Sequence, residues 1–319
     1  MGADKGSELG EQKTATVATS PGPVASPDKP RFTISPTVAR VMLLCSAALW
    51  GGSYTCCKIA LTVLSPQWLV CVRMLCASAC MILLFHKQII PFLKPKIVVP
   101  ALVVGVSYWG LMCTQAIGLQ TIDPGRSSFL TAVYCVLTPF AAWAISKAKP
   151  RVINLVAALV CLAGVGFISL NGNGGLELSS GDWLTLLTAV LTAINITFLG
   201  KYTRIHGPIA MTWVQFLLAG ILFLIGALLT EPAPSAEWLQ PHILGCLVYL
   251  ALGASMTAQV FQNVSLVHIP TSQASIIMCS ESLFALLFGV LFYGEQVGWN
   301  SFVGFALILV AMWLSIVRK

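Results

Sequence analysis

Four ionisable side chains, Lys58, Arg73, Arg126 and Glu281, stand inside or at the edge of long apolar runs. A charged group at membrane depth costs at least about 2.5–3.5 kcal/mol, so each is a functional candidate expected to face protein or water. Glu281 lies ten residues into an apolar run of 22 residues, 271–292. Its carboxyl could carry a proton or hold a cationic solute. Held by hydroxyls or a basic partner, it would instead be a packing strut. Arg73 lies about a third of the way into its run. Its guanidinium could grip a carboxylate or phosphate with two parallel bonds, or pair with Glu281 or an outer acid. Lys58 is near a run end, from which it could reach lipid headgroups. Arg126 follows Asp123-Pro124-Gly125 and reads as a solvated charge at an outer mouth.

Neutral polar and aromatic residues complete the chemistry: Trp50, Tyr54, Tyr108, Gln115, Tyr134, Gln215 and Gln262. Each alone reads as packing between helices or as part of an interfacial belt. With Arg73 and Glu281 they form nine candidate substrate-binding residues suited to an amphipathic or zwitterionic solute. Trp109 belongs to the same group of aromatics, and Asn195, in mid-run, needs a hydrogen-bond partner. The 11 cysteines all fall inside the apolar runs and make no CxxC pair, so they read as small packing residues. No metal and no cofactor is expected. Ser53, in GGSY, lacks a buried base, because His86, His206, His242 and His268 sit at run ends or loops. That argues against a membrane enzyme, and the lack of a GxxxxGK[ST] loop argues against a primary pump.

The elements that position these residues follow from composition. Of 319 residues, 57% are hydrophobic and 9% charged, whereas a soluble domain carries about 25% charged residues. A spanning helix needs roughly 20 apolar residues. Ten such spans are read: 38–62, 66–85, 97–119, 126–145, 152–170, 182–200, 208–230, 241–262, 271–292 and 298–317. Residues 1–37, rich in Ser, Thr, Pro, Ala and Gly, read as a disordered tail.

Loop charges test that count. Cytoplasmic loops collect Lys and Arg. With the tail inside, the inner segments hold Lys5, Lys13, Lys29, Arg31 and Arg40, then Lys87, Lys94 and Lys96. They continue with Lys147, Lys149 and Arg151, then Lys201 and Arg204, then Arg318 and Lys319. These are fifteen of the 18 basic residues. The outer loops hold Asp123, Glu177, Asp182, Glu231, Glu237 and Glu295 instead. Both termini are therefore expected in the cytoplasm. The net charge of +7 is a topology signal, and no patch suits nucleic acid.

The halves repeat, as residues 38–170 and 182–317. Arg73 follows Pro66 by seven residues, as Gln215 follows Pro208, and Gln115–Leu119 (QAIGL) answers Gln262–Leu266 (QNVSL). The fourth span ends LTPFA and the ninth carries SESLFA, so Pro139 answers Ser282. Five spans per half is odd, so the second half enters from the opposite side. The expected fold is an all-α integral membrane protein of ten transmembrane helices in two inverted five-helix repeats. Such repeats are common in secondary transporters, which bind substrate near the midplane between them.

The motifs resemble the EamA-type branch of the drug/metabolite transporter superfamily over residues 41–317. LWGGSYTCCKIAL carries Trp50, Gly51 and Lys58; GRSSFLTAVYCVLTPF is similar to the fourth helix of the family's first repeat; QNVSLVHIPTSQASIIMCSESLFALLFGVLFYGE is similar to its second-repeat pattern. Glu281-Ser282 departs from the family's frequent Glu-Pro. The resemblance implies a ten-helix secondary carrier, an exporter or exchanger of amino acids and other metabolites. Expected partners are a small-molecule substrate, the lipid bilayer and a coupling proton, in a monomer or homodimer in the cell membrane. A channel or receptor is the rival class.

A cysteine introduced near Glu177 or Glu237 is predicted to react with an impermeant thiol reagent from outside intact cells. Labelling from outside at Lys149 would overturn this topology.

Overall fold

Proline and short hydroxylated or acidic side chains set where the helices begin. Pro36, Pro66 and Pro208 each occupy a first-turn position, where the missing N–H has no intrahelical partner to lose. Ser35 caps the first helix by accepting from the Val38 amide at 3.2 Å. Ser179 and Asp182 form a reciprocal capping box at the start of another. The computed structural model describes residues 34–122, 124–147, 149–169, 178–293 and 299–317. Most of the tail, the outer acids Asp123, Glu177 and Glu295, and Arg318 and Lys319 lie outside them.

Every regular element among the described residues is helical. In chain order these are α1 (Pro36–Ala60), α2 (Pro66–Ile89), α3 (Val98–Thr121), α4 (Pro124–Ala132), α5 (Tyr134–Ser146) and α6 (Val152–Ser169). Then come α7 (Ser180–His206), α8 (Pro208–Thr230), α9 (Pro241–Val248), a π-helical stretch (Tyr249–Thr257) and α10 (Ala258–His268). Last are α11 (Thr271–Met278), α12 (Glu281–Tyr293) and α13 (Trp299–Val317). Seven helical rods are long and apolar enough to cross a membrane: 66–92, 95–121, 124–146, 180–206, 208–230, 241–268 and 271–292. The shorter apolar helices 152–164 and 302–314 stand beside them, along with the 25-residue α1. This is a multi-pass, all-helical membrane protein. Its outer surface is apolar, with Leu83, Leu84, Leu228 and Leu229 exposed, while Ser, Thr, Asn and Gln are buried. That reverses the arrangement of a water-soluble protein, because here the surrounding solvent is hydrocarbon.

Two rods are interrupted. The α4–α5 rod breaks at Val133, where i→i+3 bonds replace the α-helical ladder (Val133 N to Leu130 O, 3.4 Å; Val136 N to Val133 O, 3.0 Å). Beyond the break, Pro139 cannot donate to the Cys135 carbonyl one turn back, which weakens the ladder further. The α11–α12 rod breaks at Cys279-Ser280, again through i→i+3 bonds. Here the Ser280 hydroxyl takes the Ile277 carbonyl at 2.8 Å, competing with the backbone ladder.

Two charges are fixed by the scaffold, which corrects their sequence readings. Lys58 does not reach headgroups. Its ammonium donates to the carbonyls of Leu119 (2.8 Å), Gln120 (3.4 Å) and Ile122 (3.0 Å), so it caps the C-terminal end of α3. Arg126 is no solvated mouth charge. It grips Asp182 with two bonds, Nε to Oδ1 at 2.7 Å and Nη2 to Oδ2 at 2.8 Å, clamping α4 to α7. Burial of the Asp182 carboxylate drives the pairing, since its side chain is 1% exposed.

Arg126→Ala leaves that carboxylate with Ser179 alone and should cost about 2 kcal/mol, the range for a buried group losing its partner. Thermal unfolding in detergent should show Arg126→Ala and Asp182→Ala each lowering the melting temperature, with the double variant lowering it by less than the sum. Additive shifts would show that the pair is not coupled.

Candidate functional site

Seven of the helical rods contribute to one cavity, and both interruptions border it. Residues Trp50, Ser53 and Tyr54 come from α1, Arg73 from α2, and Tyr108 and Gln115 from α3. The first interruption places Thr131 and Tyr134 on either side of its break; the second does the same with Met278 and Glu281. Asn195 of α7 and Gln259 and Gln262 of α10 complete the polar lining. Eight of the nine sequence candidates thus line a single cavity. Gln215 does not; it is fully buried within α8, and among the described residues neither of its amide atoms has a hydrogen-bond partner. Trp109 also stays out, packing its ring 6.3 Å from that of Phe223.

The α1 wall is set by its glycines. A Cβ on Gly51 would lie 2.5 Å from Phe284 Cβ and 2.8 Å from the Glu281 carbonyl, so only glycine lets α12 approach this closely. A Cβ on Gly52 would meet the Tyr249 hydroxyl at 2.6 Å, and that hydroxyl donates to the Leu49 carbonyl at 2.7 Å. Trp50 Nε1 donates to the Ala254 carbonyl at 2.7 Å. Ala254 lies in the π-helical stretch, whose wider turns change which carbonyls face a neighbouring helix.

Beside this wall, the two remaining charges face the cavity without each other. Arg73 is 4% exposed and Glu281 5%. Arg73 Nε donates to Ser255 Oγ at 2.5 Å, and Nη1 reaches Cys57 Sγ at 3.8 Å. Glu281 Oε1 accepts from the Tyr54 hydroxyl at 3.5 Å, and that hydroxyl accepts from Gln115 Nε2 at 3.3 Å. Among the described residues, neither Arg73 nor Glu281 forms an ion pair within 4.0 Å. The reading of Arg73 as a strut on Glu281 is therefore not what the geometry holds. Burying an unpaired charge costs several kcal/mol unless the group takes a proton or a partner, and both groups keep open bonding capacity toward the cavity.

The neutral lining divides in the same way. Asn195 is spoken for, donating to the Val104 carbonyl at 3.0 Å and to Ser107 Oγ at 2.9 Å. Gln259 and Gln262 hydrogen-bond to each other. The Tyr134 hydroxyl, by contrast, is buried with no hydrogen-bond partner among the described residues, and the Thr131 hydroxyl has at most a weak contact with Tyr54; both residues line the cavity. Thr131, Gln259, Ser53 and Met278 were not sequence candidates. Helical spacing held a signal for two of them: Thr131 lies three residues before Tyr134 and Gln259 three before Gln262, on shared helix faces. The cavity volume is about 70 Å³. One water needs roughly 10–15 Å³ on that scale, so about five waters or one compact solute fit.

Comparison with known proteins places this architecture. An uncharacterized transporter of Archaeoglobus fulgidus is 28% identical over 83% of this chain and 82% of its own length. The uncharacterized transporter YoaV of Bacillus subtilis is 22% identical over 84% of this chain and 92% of its own. A crystal structure of a protein 15% identical in sequence superposes with a TM-score of 0.71, covering 88% of this chain and 97% of that one, and so shares the fold. The model of the EamA-like transporter family matches residues 38–170 and again 179–317. Matched once in each half over most of its length, the chain belongs to the EamA-like transporter family.

Proposed function

We propose that this protein is a secondary carrier that moves a small zwitterionic metabolite, such as an amino acid or a related compound, by alternating access. The observation that carries this reading is the pair of buried, mutually unpaired charges lining one cavity, Arg73 and Glu281. A zwitterion satisfies both: its carboxylate takes the free donors of Arg73, and its ammonium takes Glu281. With Glu281 ionised, a single anion or cation would leave one of the two charges without a partner. The Thr131 and Tyr134 hydroxyls offer further hydrogen bonds between those poles, and the volume favours a compact solute.

On this reading the chain has ten spans in two inverted five-helix repeats, with both termini cytoplasmic in the cell membrane. The alternation of basic and acidic loops supports that topology. The interrupted rods supply the moving parts, because helices broken at a central site are a recurrent build in alternating-access carriers. Glu281, at the start of α12, holds either the ammonium of the substrate or a proton. Net flux runs as export or exchange.

Counterflow in proteoliposomes tests the class. Unlabelled solute trapped inside should drive transient accumulation of the same labelled solute, with zwitterionic amino acids as the first panel. Electrodiffusion without counterflow would make the protein a channel, and no flux with saturable binding would make it a receptor.

Two substitutions test the roles. Arg73→Lys keeps the charge but loses the planar fork, and should weaken apparent substrate affinity about tenfold, or ~1.4 kcal/mol. Unchanged affinity in a correctly inserted protein would make Arg73 structural. Glu281→Gln is nearly isosteric and can neither carry a proton nor neutralise an ammonium. It should abolish the pH dependence of flux while leaving the melting temperature within a few degrees of wild type. Wild-type flux with unaltered pH dependence would reduce Glu281 to a packing residue.

A further inference from the structure

Three of the 11 cysteines do something no spacing in the sequence shows. Cys135, Cys161 and Cys279 come from α5, from α6 and from the break between α11 and α12, yet their sulfurs lie within 4.8 Å of one another. All three are fully buried. Cys279 donates its thiol to the Ala132 carbonyl at 3.6 Å, and Cys135 donates to the Ala158 carbonyl at 3.6 Å. Thiols are weak donors, so another partner can displace these bonds. Cysteines buried among apolar groups are ordinarily inert. What sets these apart is that three soft ligand atoms converge from both repeats.

We propose that Cys135, Cys161 and Cys279 form a three-sulfur binding site for a single thiol-seeking trivalent ion of the arsenic(III) class. Ligand softness, ligand number and charge each support this. Sulfur selects soft ions over hard ones. Among the described residues no fourth His, Cys, Asp or Glu joins the cluster, whereas a structural zinc site completes four ligands. The surroundings are apolar, with Ala132, Ala157, Ala158 and Ile276 in the same buried cluster, and a net charge there is costly. Three thiolates are neutralised by a trivalent centre, and a pyramidal ion needs no fourth ligand. The chemistry balances without redox change: arsenious acid, As(OH)3, forms three As–S bonds. Its three hydroxides leave as water, each with a thiol proton. Bonds of about 2.3 Å, the length of zinc–thiolate bonds, put the sulfurs about 4 Å apart or less, which small side-chain rotations achieve. Tyr134 and Met278 line the cavity and immediately precede Cys135 and Cys279, so a local opening at the breaks would admit the neutral acid. An occupant would staple the two interruptions together.

The test is read by binding and does not depend on the carrier proposal. Reduced, full-length protein in detergent is exposed to sodium arsenite alone, desalted, and its bound arsenic counted by elemental mass spectrometry. One arsenic per chain and the loss of three titratable thiols are expected, with a raised melting temperature. A variant keeping only Cys135, Cys161 and Cys279 should bind the same single arsenic. Cys135→Ala, Cys161→Ala and Cys279→Ala should each weaken binding at least tenfold while remaining monodisperse. The proposal falls if the three-cysteine variant binds no arsenic, or if the alanine variants bind it as wild type does. It falls equally if the three-cysteine variant takes zinc ion but not arsenite. Should an alanine variant fail to fold, the three-cysteine variant still decides the matter.

Discussion

The architecture turns on the place where the two interrupted helices touch. A helix broken in a bilayer frees backbone groups that lipid cannot satisfy, so a break survives only against protein or a wet cavity. Here each break leans on the other. Cys279, in the second interruption, donates to the carbonyl of Ala132 at the first. Ser282, just beyond it, donates to the carbonyl of Ser128 at 3.4 Å. The cavity opens beside this contact, lined by residues on either side of both breaks.

The first helix serves that contact. Gly51 lets α12 close on α1 near Glu281, and Trp50 and Ser46 take carbonyls from the rod carrying the π-helical stretch, at Ala254 and Ala258. The Trp50-Gly51-Gly52 motif therefore has a mechanical meaning. The tryptophan reaches across for a hydrogen bond, while the two glycines keep the helices close enough for it to form. Larger side chains at either glycine would push apart the walls on which the candidate ligands sit.

Charge is sorted by what the scaffold needs. Lys58 and Arg126 look equivalent to Arg73 in composition, yet one closes a helix end and the other clamps two helices. Each is engaged by protein acceptors. Arg73 and Glu281 are left with open bonding capacity around a cavity too small for bulk water. On the proposed reading, two opposite charges held apart in such a space would select ligands by charge separation as much as by size.

The sequence by itself determined the class and named eight of the residues that line the cavity. Apolar runs of about twenty residues admit only helices in a bilayer, and ionisable groups within them are too costly to be incidental. Arg73 and Glu281 were legible for that reason, and Tyr54, Gln115 and Tyr134 as polar or aromatic groups within the same runs. The internal repeat was legible because it is written in offsets such as Pro66 to Arg73 and Pro208 to Gln215. Tertiary structure alone decided which polar residues are already satisfied. Gln215 matches Arg73 in position along its half, yet it is buried in α8 away from the cavity. Asn195 lines the cavity, but its amide is committed to Val104 and Ser107. Only the fold could gather Cys135, Cys161 and Cys279 into one cluster. The physical reason is range: periodicity and desolvation cost act along one helix, whereas pairing depends on which helices meet, and at what height.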